Sequence, residues 1–125
     1  ARPDVINENN VHLLNTKLII EGANIPITGK AEKILYEAGI LYVPDFIANA
    51  GGVICAAAEY QGATQYAAFG SIEEKVRKNT VQVLETAKTK GILPREAAFQ
   101  LAVKRVKQAM AYRRWSIFSS APGFV

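Results

Sequence analysis

The sequence of 125 residues has one cysteine, one histidine and no apolar run near the roughly 18 residues that cross a bilayer. Each shortage excludes something. Cys55, alone, cannot form an internal disulfide, and the natural setting for such a chain is a reducing cytoplasm. His12 stands in a polar stretch with no second histidine or cysteine near it, so it reads as a surface residue and not as a catalytic base or metal ligand. No basic-then-apolar leader opens the chain, and there is neither a GxGxxG turn nor a phosphate-binding P-loop. Neither sign of charge dominates: 15 Lys and Arg face 11 Asp and Glu, for a net +4. Lys75, Arg77, Lys78, Lys88 and Lys90 share one helical stretch with Glu73, Glu74 and Glu85. That mixture is a solvated helix face before it is a nucleic-acid surface. The densest basic group, Lys104, Arg105 and Lys107 before Arg113–Arg114, lies on a stretch with its own apolar stripe. No nucleic-acid and no membrane partner is expected.

What remains is an ordinary globular composition, half apolar and 21% charged, enough for one domain with a modest core. Asn7 can cap a short helix carrying Val11 and Leu14. The runs "KLIIEG" (17–22) and "ILYVPD" (40–45) fit strands buried on both faces, each closed by Gly22 or Pro44. Between them Thr28 caps a helix with the stripe Ala31, Ile34, Leu35 and Ala38, ended by Gly39. Strand, helix and strand in this span predict a βαβ unit of a parallel sheet. Two helices follow, one over 71–90 opened by Ser71 and closed by Gly91, the other over 94–114 with Pro94 in its first turn. The tail after it has no periodicity and is expected to be irregular, anchored by Phe118.

Two parallel strands leave both sheet edges open, so either "DVI" (4–6) adds pairing or the sequence is the back part of a larger fold; the second fits better. The expected class is α/β: a partial Rossmann-type, doubly wound parallel-sheet domain followed by carboxyl-terminal helices. Residues 1–70 would be the back half of the dinucleotide-binding domain. Residues 71–125 would be a helical segment packed on it.

In open parallel sheets ligands bind beyond the carboxyl ends of the strands. "GAN" (22–24) follows the first strand there, and "NAGG" (49–52) follows the second after one short turn. Neighbouring strands would bring Asn24 and Asn49 to the same rim, where each carboxamide can donate and accept. Gly51 and Gly52 would let a flat ring approach the backbone at a helix N-terminus. The same residues also serve as plain turn and cap residues, with Asp45 as a helix cap and Cys55 as a small buried hydrophobe.

The stretch "EGANIPITGKAEKILYEAGILYVPDFIANAGGVICAAAEY" (21–60) resembles the back half of the nucleotide domain of the Glu/Leu/Phe/Val dehydrogenases. The phrases "EGAN-P-T", "A--IL---GI--VPD" and "NAGGV-----E" stand in the family's order and at its separations. The resemblance implies an L-amino acid substrate, glutamate or an apolar or branched-chain one, reversibly deaminated to its 2-oxo acid with hydride passing to NAD or NADP. It places Gly22, Ala23 and Asn24 on the nicotinamide-ribose side of the cofactor, Asn49 on the nicotinamide carboxamide, and Gly51 and Gly52 beside the ring. It sets Val53 and Ala56 against the substrate side chain. The glutamate-specific members are similar to one another in having serine at the second position; Ala56 departs from that and suits an apolar side chain. Ile25 and Ile27 depart from the commoner Gly and Thr of that loop. The family's catalytic lysine and aspartate and its glycine fingerprint correspond to upstream segments, so no catalytic residue is expected within these 125. The complete protein would be a cytoplasmic homo-oligomer, and the chain alone would be inactive. The alternative is a non-catalytic module that keeps the nucleotide-facing rim and binds a nucleotide or a partner.

Overall fold

The computed structural model describes residues 2–113. A 3-10 turn (Val11–Leu13) precedes β1 (Leu18–Ile20), α1 (Gly29–Glu37), β2 (Leu41–Val43), a single-turn α2 (Asp45–Ala48), α3 (Gly51–Tyr60), α4 (Gln65–Lys90) and α5 (Pro94–Arg113). The strands pair in parallel, Leu18 with Leu41, Ile19 with Tyr42 and Ile20 with Val43, joined through α1 as the βαβ pattern requires.

Successive strand residues point to opposite faces, and the two cores follow from that. Tyr42 and Ile19 look toward Val11, Ile27, Ala31 and Leu35, the inner side of α1 and the segment before it. Val43 looks the other way, toward Ile47, Val83, Ala87, Ala97 and Ala98, where α2, α4 and α5 meet. The second core joins residues on both sides of position 70, and the 70/71 division falls inside α4. β1 is covered less well: Leu18 and Ile20 are exposed, Ile20 at 64% of its surface. A sheet with an open edge and a bare apolar face has the character of part of a larger sheet.

Several local expectations hold in detail. Thr28 Oγ1 accepts from Ala31 N at 3.2 Å and starts α1. Gly91, at φ +64°, takes the left-handed conformation that ends α4. Others do not. The helix expected from Ser71 starts at Gln65, because Thr64 supplies the cap, its side chain accepting from Ala67 N at 3.3 Å. Gly70 then sits inside the helix, where glycine costs about 1 kcal/mol relative to alanine, two residues beyond the buried Ala68. The helix expected after Asn7 is only the 3-10 turn, since Asn7 and Asn10 satisfy backbone N–H groups locally, at Asn9 and Asn7. Residues 4–6 do not extend the sheet. Ile6 bridges Ile27, donating to Pro26 O at 2.9 Å while Thr28 N donates to Ile6 O at 3.0 Å. On α5 the apolar stripe is buried at Ala98 and half-buried at Leu101 and Ala102, but Val106 and Met110 are exposed. The tail expected to be anchored by Phe118 lies outside the described residues, as does Arg114. Among the described residues no helix is long and apolar enough to cross a membrane.

Candidate functional site

The carboxyl ends of β1 and β2 carry the two insertions singled out above. Beyond Ile20 come Glu21, Gly22, Ala23 and Asn24. Beyond Val43, Pro44 holds an extended φ/ψ of −60°/149° and accepts from Ile47 N and Ala48 N through its carbonyl, which turns the chain into α2. Asn49 closes that turn, its N–H donating to Asp45 O at 2.7 Å. The two carboxamides meet: Asn49 Nδ2 donates to Asn24 Oδ1 at 2.6 Å. Asn24 is exposed and Asn49 half-buried, so the pair forms an accessible rim; Gly22 is exposed beside it and Ala23 half-buried.

Gly51 and Gly52 open α3, whose preceding residue, Ala50, offers no side-chain cap. Neither glycine has a left-handed φ. A methyl group at Gly51 would lie 3.5 Å from Ile72 Cγ2, an ordinary contact, and one at Gly52 would meet nothing within 4 Å. Neither backbone strain nor crowding within the chain therefore calls for these glycines. Their effect is a stretch of bare backbone at the start of α3, next to Asn49. One residue beyond Gly52, Val53 is 77% exposed, and Ala56, three residues later, is exposed on the same side of the helix. Cys55, expected buried, is half-buried.

An ion cluster behind this rim was not evident in the sequence. Arg95, in the first turn of α5, donates from Nη1 to Asp45 Oδ1 at 2.8 Å, from Nη2 to Glu21 Oε2 at 2.8 Å and from Nε to Glu32 Oε1. Its guanidinium carbon lies 5.8 Å from the centroid of the Phe46 ring. Asp45 N also donates to Glu21 Oε2, at 3.2 Å. The other oxygen of Asp45, Oδ2, accepts from Ile25 N at 2.7 Å. Asp45, expected to cap α2, is thus its first helical residue, and its carboxylate belongs to the loop and to Arg95. Ile25 has φ +49°, the left-handed region that a β-branched residue seldom enters. Its carbonyl is held from the other side by Asp4 N at 2.9 Å.

Three acids around one cation leave an excess of negative charge. Burial pushes Glu21 up to about 7 against the pull of Arg95, with Glu32 and Asp45 adding to the rise. Glu32 is raised, again chiefly by burial. For Asp45 burial acts upward too, but the Ile25 N–H, the Arg95 guanidinium and the Phe46 N–H outweigh it and the carboxyl falls below its usual range. Glu21 Oε1 is buried with no hydrogen-bond partner. The sequence does hold a signal for this cluster: acids directly after an apolar strand run (Glu21) and between the apolar residues Ala31 and Leu35 (Glu32) need a cation once buried.

Comparison with known proteins gives the family and the fold. A family model described as Glutamate/Leucine/Phenylalanine/Valine dehydrogenase matches residues 1–114. The chain is 40% identical over 126 residues to a glutamate dehydrogenase of Aeropyrum pernix, covering 92% of this chain and 30% of that protein. It is 37% identical over 122 residues to an NADP(+)-dependent glutamate dehydrogenase of Pyrobaculum calidifontis, covering 92% and 29%. Among solved structures, L-tryptophan dehydrogenase from Nostoc punctiforme superposes with a TM-score of 0.78 at 28% identity, covering 86% of this chain and 32% of that one. The chain thus spans about 30% of the length of the curated relatives it matches.

Proposed function

The chain belongs to the Glutamate/Leucine/Phenylalanine/Valine dehydrogenase family, its fold is a partial Rossmann-type α/β domain, and we propose that it forms the nicotinamide-facing rim of an NAD(P)-dependent amino acid dehydrogenase. The observation that carries this reading is the contact of Asn49 with Asn24, 2.6 Å, at the carboxyl ends of two neighbouring parallel strands. The bond between them uses Asn24 Oδ1 and one N–H of Asn49. It leaves the Asn24 amino group to donate and Asn49 Oδ1 to accept, the complement of a primary carboxamide such as that of nicotinamide. The open space over Gly52 suits a flat ring laid against the backbone, and Gly22 and Ala23 would flank its ribose. When bound, NAD or NADP supplies the hydride acceptor for oxidation of the amino acid.

The role of the chain's own residues is then to orient the cofactor and shape the substrate side. Val53 and Ala56, exposed on one side of α3, would line the substrate side chain. A methyl at Ala56 gives a side-chain carboxylate no donor, so this wall favours an apolar amino acid, although the two curated relatives above are named glutamate dehydrogenases. No residue of the 125 is assigned to proton transfer, and the chain by itself is proposed to bind the dinucleotide weakly and not to turn over. The complete enzyme would be a cytoplasmic homo-oligomer.

The test is an NMR titration of the ¹⁵N-labelled chain with NADH and NADPH, followed by Asn24→Ala and Asn49→Ala. Shifts centred on the Asn24 and Asn49 carboxamides and the Gly51 and Gly52 amides, with affinity weakened but measurable at the glycine amides in both variants, are the expected result. Shifts centred elsewhere, or none, would remove the cofactor reading. Turnover of any amino acid by the purified chain would remove the claim that it is inactive alone.

A further inference from the structure

Arg95 donates no hydrogen bond to the rim residues, yet two of its three carboxylate partners, Glu21 and Asp45, belong to what holds them. Glu21 ends the strand that leads into Gly22, Ala23 and Asn24. Asp45 begins the turn that ends at Asn49. The two arms of one guanidinium bind these two carboxylates at 2.8 Å each, and the Asp45 N–H closes the triangle by donating to the same Glu21 oxygen. Asp45 then uses its remaining oxygen to hold Ile25 N at 2.7 Å, fixing the residue after Asn24 in a left-handed conformation. Such a conformation persists in a β-branched residue only where the surroundings over-determine it. Without the guanidinium, Glu21 and Asp45 would lose the cation that bridges them, and only the Asp45 N–H would still tie the start of α2 to the end of β1.

We infer that Arg95 is a positioning residue for the cofactor rim: through Asp45 and Glu21 it sets the spacing of the two strand ends and so the meeting of Asn24 with Asn49. The inference rests on the reading of that rim as the nicotinamide site. A planar fork is needed because the two carboxylates are gripped at once; a point charge can satisfy only one of them well.

The experiment uses the full 125-residue chain and two substitutions. Arg95→Met removes the charge and keeps the bulk, while Arg95→Lys keeps the charge and loses the fork. In the absence of ligand, the Ile25 amide and the Asn24 and Asn49 carboxamide signals should move in Arg95→Met, and move less in Arg95→Lys, while signals from the α3–α4 contact stay in place. Should Arg95→Met not fold, Arg95→Lys decides alone, and its rim signals should still move. With NADH, the folded variant should weaken binding about five- to tenfold in the native background and add no further loss in an Asn24→Ala background, the signature of coupled residues. Rim signals that stay in place in the folded variants would overturn the inference, as would a loss of affinity that is the same with and without Asn24. If NADH gives no shifts at the rim even in the native chain, the cofactor reading fails; the unliganded spectra then still decide whether Arg95 sets the rim.

Discussion

The buried cluster makes stability fall as the pH rises through neutrality, the reverse of the usual trend on the acid side, and Glu21 is the main cause. Its side chain is fully buried, and its carboxyl is pushed from the ordinary 4.5 up to about 7 by burial. An acid whose native-state value lies above its unfolded one binds more protons in the native state. Its contribution is therefore fully present below about pH 4.5 and lost as the pH rises through about 7. The displacement corresponds to about 3 kcal/mol between the two protonation states. Near pH 6 the native protein holds almost one proton more than the unfolded chain at this site, a slope of about 1.2 kcal/mol per pH unit.

Between pH 5 and pH 8 the chain should thus lose about 2–3 kcal/mol through Glu21, with Glu32 acting in the same direction because it too is raised. Asp45 acts oppositely, since its carboxyl is lowered, but its contribution disappears only as the pH falls below about 4, outside this window. Urea unfolding followed by circular dichroism measures the slope: the midpoint should drop by about 1–2 M from pH 5 to pH 8. Glu21→Gln keeps an oxygen for Arg95 and for the Asp45 N–H and cannot ionise. It should flatten most of the slope and be more stable than the native chain at pH 8. A midpoint that is level or rises between pH 5 and pH 8 would refute the reasoning, and so would a Glu21→Gln variant with the native slope.

Three other substitutions separate packing, backbone and specificity. Leu35→Ala empties a fully buried position between α1 and Tyr42 and should cost about 3 kcal/mol, read as a lower urea midpoint at unchanged slope. Gly91→Ala should cost about 1 kcal/mol from conformation alone, because φ is +64° while the added methyl meets nothing within 4 Å; a neutral result in thermal unfolding would contradict the left-handed cap. Ala56→Ser, made in the complete enzyme, should raise kcat/KM for glutamate relative to leucine by about tenfold, the worth of one hydrogen bond to a charged group. An unchanged ratio would take Ala56 out of the substrate wall.

The parts of this molecule legible in its sequence are those fixed by neighbours in sequence. Thr28 and Gly39 mark the limits of α1 because a cap and a left-handed stop act within one turn, and Gly39 has the expected positive φ of 72°. Ser71 is as good a cap residue as Thr64 by local chemistry, so the sequence alone does not choose between them; the fold does, the helix running from Gln65 through the buried Ala68. Periodicity likewise marks a face without saying what covers it, so the stripe on α5 continues to Val106 and Met110 although the core ends near Leu101.

The rim and the cluster behind it differ in the same way. Asn24 and Asn49 could be paired from sequence because each lies a few residues past a strand, and adjacent parallel strands deliver their carboxyl ends to one side. Arg95 could not, because its partners are 74, 63 and 50 residues away, and nothing near position 95 says where the tip of a long flexible side chain goes. Its placement depends on α5 docking against the end of β2, which is decided by Val43, Ile47, Ala97 and Ala98 packing together. A core substitution there, such as Ala98→Val, therefore acts on the asparagines as well as on stability. By forcing α5 outward it would draw the guanidinium from Asp45 and loosen Ile25, although Ala98 lies in the core and not on the rim.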